Sequence, residues 1–194
     1  MPEIKKPKER PVVCFLPGVI IFGQGKLDKK FYLNRLNFVR LAEKAVEDYE
    51  EARNLILKQT KTINFLDIWR ITNKLEDCIL TVRRVFRVFE RIKNNKNGFF
   101  VERIEKKLLK NYEKTVTDVR DLIEHIEKEI DRDSIPQDRT IALTPNKDAS
   151  IIFIGRKEIR VEDLANIIER FYKLSLELAV VDETKNPISL GELS

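Results

Sequence analysis

The chain has 194 residues, 42% of them apolar and 36% charged, with a net charge of +5. That length supports a single hydrophobic core, and so small a net charge does not by itself demand nucleic acid as a partner. Cys14 and Cys78 stand far apart with no CxxC spacing, which fits a reduced, cytoplasmic chain.

The basic start MPEIKKPKER leads into the apolar run PVVCFLPGVIIFG, the outline of a secretion signal. Pro17-Gly18 interrupts that run, its halves are too short to cross a bilayer, and no small-x-small cleavage site follows, so neither a signal peptide nor a membrane span is expected. Residues 1–27 read instead as an N-terminal arm, with 12–22 as two short extended pieces around a Pro-Gly turn. Gly18, Gly23, Gly25 and Lys26 do not have phosphate-loop spacing. Gln24 follows Gly23, and Leu27 stands where Ser or Thr would follow the lysine.

A first helix is predicted from about Asp28 to Lys58, because Phe38, Ala42, Ala45, Tyr49, Ala52 and Ile56 recur at helical spacing beside Tyr32, Val39, Val46 and Leu57. A second runs from about Phe65 to Lys93, with Ile68, Thr72, Leu75, Ile79, Val82, Phe86 and Phe89 in heptad spacing. Cys78 falls in a flanking apolar stripe and reads as packing. The run Asn94-Asn95-Lys96-Asn97-Gly98 stops this helix. A third helix is predicted as continuous from about Phe99 to Asp131. Short links between long helices make neighbours antiparallel.

After RDSIPQD the period becomes extended. Strands are expected at Thr140–Thr144, Ser150–Ile154 and Glu158–Val161, turning at Pro145–Asp148 and at Gly155-Arg156. A fourth helix begins near Glu162 with the stripe Leu164, Ile167, Ile168, Phe171, Leu174 and Leu178, and residues 182–194 form a loosely ordered tail. The fold class is therefore mainly α: one domain over residues 1–194, an antiparallel bundle of about four helices with a small antiparallel β-meander before the last helix.

The third helix divides most cleanly into two faces. At ~100° per residue, Tyr112, Thr115, Val116, Val119, Leu122, Ile123, Ile126 and Ile130 share one arc of roughly 120°. The opposite side carries Asp118, Arg120, Asp121, Glu124 and the chain's only histidine, His125. One histidine and two distant cysteines supply neither a zinc site nor two Glu-x-x-His pairs, and they place no nucleophile beside His125. No metal or other cofactor is expected.

Charge is unevenly distributed. Residues 79–110 hold ten Lys or Arg against three Glu, whereas residues 112–133 hold four against eight acids, so basic and acidic stretches adjoin. Arg83, Arg84, Arg87 and Arg91 lie away from the apolar stripes of the second helix, and Lys106, Lys107 and Lys110 follow in the third. Such a cluster can hold phosphates of a nucleic acid. It can equally offset a helix dipole and keep a bundle soluble.

The hexapeptide Arg120-Asp121-Leu122-Ile123-Glu124-His125, of the form R-polar-x-x-x-H late in a helical bundle, resembles the signature of the HEPN superfamily. The likeness covers this motif and, in outline, the bundle. It implies a metal-independent endoribonuclease acting in defence or stress, as in toxin-antitoxin systems, in which two such helices face each other across a homodimer and RNA is cut by attack of its 2′-hydroxyl. On that resemblance Arg120 stabilises phosphate charge, His125 transfers protons and Asp121 orients its neighbours. The residue types suit these roles, since imidazole exchanges protons near neutrality and guanidinium presents a charged fork. The acidity of the surrounding face opposes RNA unless a partner's basic cluster covers it. The alternative is a non-enzymatic helical interaction module whose polar face and basic end bind a protein or nucleic-acid partner.

Overall fold

The structure, a computed structural model, describes residues 1–4, 29–59, 65–93, 103–137 and 139–185. Among these are five helices: α1 (Lys29–Gln59), α2 (Phe65–Ile92), α3 (Arg103–Glu124), α4 (Ile126–Asp131) and α5 (Val161–Lys185). Three short strands lie between α4 and α5: β1 (Thr144–Pro145), β2 (Ile151–Ile154) and β3 (Lys157–Arg160). The mainly helical class and the small sheet before the last helix match the sequence reading.

α1 and α2 run antiparallel, as their cross-contacts show. Lys74 pairs with Glu51 at 2.6 Å, and one turn later the Cys78 thiol lies 3.9 Å from the Ala45 carbonyl. α5 lies antiparallel to α1 in the same way, with Arg35 donating to the Leu178 carbonyl and Phe38 touching Phe171. Phe38, Phe86, Phe89 and Phe171, from α1, α2 and α5, form the aromatic centre of the core. Of the residues expected to be buried together, Leu75, Ile79, Val82, Phe86 and Val119 are buried, whereas Ile123 and Ile126 are only partly so. Cys78 is fully buried as well, and burial followed by the nearby Asp48 carboxylate pushes its thiol pKa up, which leaves it a packing residue.

Asp48 is a charge inside this core. Its side chain is 5% exposed, yet it accepts from Lys44 Nζ at 2.8 and 2.9 Å and from Thr81 Oγ1 at 3.1 Å, so its lone pairs are met as burial requires. Residues 1–4 lie against α1. Ile4 is buried, Tyr49 donates from its hydroxyl to the Pro2 carbonyl at 2.9 Å, and Arg53 reaches the Met1 carbonyl. The strand-like pieces expected at 12–22 and the helix start expected at Phe99 lie outside the described residues.

Four expectations are corrected. The third helix is not continuous: it ends at Glu124, turns at His125 and resumes as α4. Leu122, Ile123 and Ile126 are consequently only partly buried, and Ile130, beyond the break, is 48% exposed. Leu57 and Ile68 are exposed although their spacing placed them in apolar stripes; at this level of the α1–α2 pair the buried positions are taken by Ile56 and Ile71. The first strand is Thr144–Pro145 and not Thr140–Thr144. Both threonine hydroxyls bond the Ala142 carbonyl and each other, which folds 140–144 into a local turn. Pro145 then sits on an edge strand, where its missing N–H costs little. Finally, α5 continues through Asp182 to Lys185, within the stretch expected as tail; residues 186–194 lie outside the described residues.

The β2–β3 hairpin turns at Gly155-Arg156 as expected, with Ile152 opposite Ile159 and Ile154 opposite Lys157. Ile152, Ile154, Ile159 and Val161 are all buried, the period-two face the sequence predicted. Gly155 is required at the turn because its φ is +48°, and an added Cβ there would lie 3.2 Å from Leu122 Cδ2 of α3. Gly155→Ala is expected to cost about 1–2 kcal/mol from the left-handed backbone alone. A thermal melt unchanged by that substitution would disprove the account.

Candidate functional site

Two side chains anchor the end of α3 to the hairpin. Lys157 of β3 pairs with Asp118 at 3.0 Å, and Leu122 packs over Gly155. The helix then opens. His125 has φ −128° and ψ 24°, its N–H bonds the Leu122 carbonyl in a tightened last turn, and its own carbonyl accepts from Lys128 N at 3.0 Å to begin α4. No glycine or proline is present to cause this, and the imidazole makes no capping bond. The cause lies downstream. α4 ends in a Schellman turn, with Asp133 at φ 50°, Asp133 N bonded to the Ile130 carbonyl and Ser134 N to the Glu129 carbonyl. Arg156 of the hairpin turn then takes the Ser134 carbonyl at 2.7 Å. The chain must bend at His125 to bring Ser134 back to the hairpin.

The bend leaves His125 exposed on the wall of an open depression of about 420 Å³ between the α3–α4 elbow and β3. Asp118, Asp121, Lys128, Glu129, Arg132 and Lys157 supply its charged lining. Three of the carboxylates are engaged: Asp118 by Lys157, Asp121 by Arg120, and Glu129 by the Ser134 hydroxyl at 2.6 Å and Arg132 at 3.9 Å. His125 and Lys128 face the space, and no side chain among the described residues bonds either of them.

Arg120 does not line that depression. Its guanidinium is clamped on α3, with Nη1 donating to Asp121 Oδ1 at 2.7 Å and Nη2 lying 2.5 Å from Glu124 Oε2. The hydrogen bond to Asp121, then the charge of Glu124, raise its pKa. Within one chain, therefore, Arg120 joins Asp121 and Asp121 shares a wall with His125, but arginine and histidine do not converge. Asp121 links the two. The sequence reading missed Glu124 as a holder of Arg120. It also missed Lys157 and Arg132, since nothing in the spacing signals that β3 and the α4 end fold against residue 125.

The basic cluster divides. Arg83 is a structural group: its side chain is 18% exposed and Nη1 donates to Glu113 Oε1 of α3 at 2.9 Å. Arg84, Arg87, Arg91, Lys107 and Lys110 are exposed, while of Lys106 only its place in α3 is described. Among the described residues no group of three or more His, Cys, Asp or Glu is placed to hold a metal ion, and no helix is long and apolar enough to cross a membrane.

Chemically, the end of α3 presents an open, mixed-charge depression with one exposed imidazole, and Arg120 is held outside it by Asp121 and Glu124. Comparison with protein-family models, with curated proteins and with solved structures finds no match to this chain.

Proposed function

We propose that the protein is a HEPN-like, metal-independent endoribonuclease that acts as a homodimer in defence or stress. The observation that carries this reading is the elbow at His125. A helix broken with neither Gly nor Pro, and with no cap from the residue at the break, presents an imidazole to solvent beside a depression whose carboxylates are largely neutralised. His125 is then the proton-transfer group and Arg120 the charge that meets the phosphate. Asp121 orients Arg120 through the 2.7 Å bond already present. Because the two groups do not converge within one chain, the reading requires a second protomer whose Arg120 faces this protomer's His125.

The test is cleavage of a mixed RNA pool by wild-type protein in EDTA, with solution mass measured in the same buffer. Cleavage by a dimer is the expected result. A monomer that cleaves, or a dimer that does not, discards the proposal.

A second reading has its own observation. Both acceptors of Arg120 are on its own helix, so the guanidinium enters any complex already neutralised, as in a solvated helix face that serves only to bind. This non-enzymatic interaction module predicts that no RNA is cut under any condition in which the protein is folded.

A further inference from the structure

The outer face of α2 and α3 carries six exposed cations that no carboxylate among the described residues engages: Arg84, Arg87 and Arg91 on α2, and Lys107, Lys110 and Lys114 on α3. Lys44, Lys74, Arg120 and Lys157 elsewhere each hold a carboxylate within 3.0 Å. Each set of three has the spacing i, i+3, i+7, which keeps it on one side of its helix over about 10 Å.

The two rows lie on one surface. Thr72, near the start of α2, bonds the Leu143 carbonyl before β1, and Asp118, near the end of α3, pairs with Lys157 of β3, so both ends meet the sheet and the helices are antiparallel. The Arg83–Glu113 pair spans them. Arg84 and Arg87 turn outward from Arg83 by roughly 40–100°, and Lys110 and Lys114 turn outward from Glu113 by a similar angle. In antiparallel helices these rotations lead to the same exterior.

Helix dipoles do not account for this placement. Only Arg91 lies in the last turn of α2, where a cation is favoured. Lys107 and Lys110 occupy the first half of α3, far from the C-terminal turn whose dipole would favour a cation. We propose that these two rows of exposed cations form a track for the sugar-phosphate backbone of a single-stranded nucleic acid.

The track leads toward His125. From Lys107 to Glu124 the axis of α3 advances about 26 Å, a span of several nucleotides. The face has no exposed aromatic platform among the described residues: Tyr112 packs against the core, and Trp69 lies at the far end of α2. Binding is therefore independent of base identity, because stacking supplies what base preference such tracks have. That the natural strand is RNA rests on the ribonuclease reading. That the surface takes a polyphosphate rests on the cations alone.

The test uses the full chain carrying His125→Ala, so that cleavage cannot consume the probe and binding is read apart from catalysis. Fluorescence anisotropy would follow RNA and DNA oligonucleotides of one sequence, about 20 nucleotides long, across a salt series. Six phosphate contacts predict a slope of log K against log salt near about −4. Combined R84A/R87A/R91A, or combined K107A/K110A/K114A, should reduce that slope by about 2 and weaken binding at least about tenfold, whereas arginine at the three lysine positions should preserve it. All six side chains are exposed, so these variants fold. A wild-type slope shallower than about −1, unchanged binding in either combined variant, or equal affinity for polyglutamate of matched charge overturns the proposal. A preference above about tenfold for RNA or for DNA assigns the contacts to the sugar and also overturns it.

Discussion

Phe86→Ala is expected to lower the free energy of unfolding by about 3–5 kcal/mol. The side chain is 1% exposed, and its ring meets Phe171 edge-on with centroids 4.8 Å apart and planes at 82°. Phe171 in turn meets Phe38 at 5.9 Å and Phe89 at 5.8 Å, so one truncation opens a void where α1, α2 and α5 join. The surrounding helices relax only partly into such a gap. The loss therefore includes both the burial of the ring and the cavity, along with the aromatic geometry. Since a domain of this kind has about 5–15 kcal/mol in total, the variant should unfold at a much lower urea concentration. Phe86→Leu, which refills much of the volume, should cost clearly less. An unchanged urea midpoint for Phe86→Ala would show that this cluster is not the centre of the core.

The second large effect concerns activity. Arg120→Ala and His125→Ala should each reduce RNA cleavage by about 100-fold or more, the usual loss on removing a phosphate-stabilising charge or a general acid-base group. Stability should barely change. His125 is exposed, and Arg120 gives up two surface ion pairs that together are worth at most about 1 kcal/mol. Arg120→Lys separates charge from shape: it keeps the cation, loses the fork, and should recover only part of the rate. Mixing the two inactive variants gives a sharper result. In a composite site, heterodimers of Arg120→Ala with His125→Ala regain one intact arginine–histidine pair, and activity should partly return. Mixed samples as inactive as their components would rule out sharing across a dimer.

Much of the architecture is legible in the residues. The helical bounds of α1 and α2 follow from runs of apolar residues at helical spacing, and the hairpin follows from alternating isoleucines around Gly155, whose positive φ no side chain tolerates cheaply. The site is legible only in part. Sequence spacing places Arg120 and Asp121 on a polar face, and the structure puts them there, but the periodic pattern runs unbroken through His125 and so conceals the elbow. Likewise Arg83 reads as one more surface cation, yet it is half of a bridge to Glu113 thirty residues away.

The sequence by itself determined the class: antiparallel helices around an aromatic and aliphatic core, closed by a small meander, with acid and base segregated along adjoining stretches. These properties depend on local periodicity, which each segment carries independently of its neighbours. Tertiary structure alone decided where α3 ends, that Arg83 bridges to α3 and what surrounds His125. Each of these depends on long-range pairs, Lys157 with Asp118, Arg156 with the Ser134 carbonyl and Arg83 with Glu113, whose partners are brought together only when the hairpin and helices pack. Such contacts leave no period in the chain, because they are set by the closing geometry of the whole core.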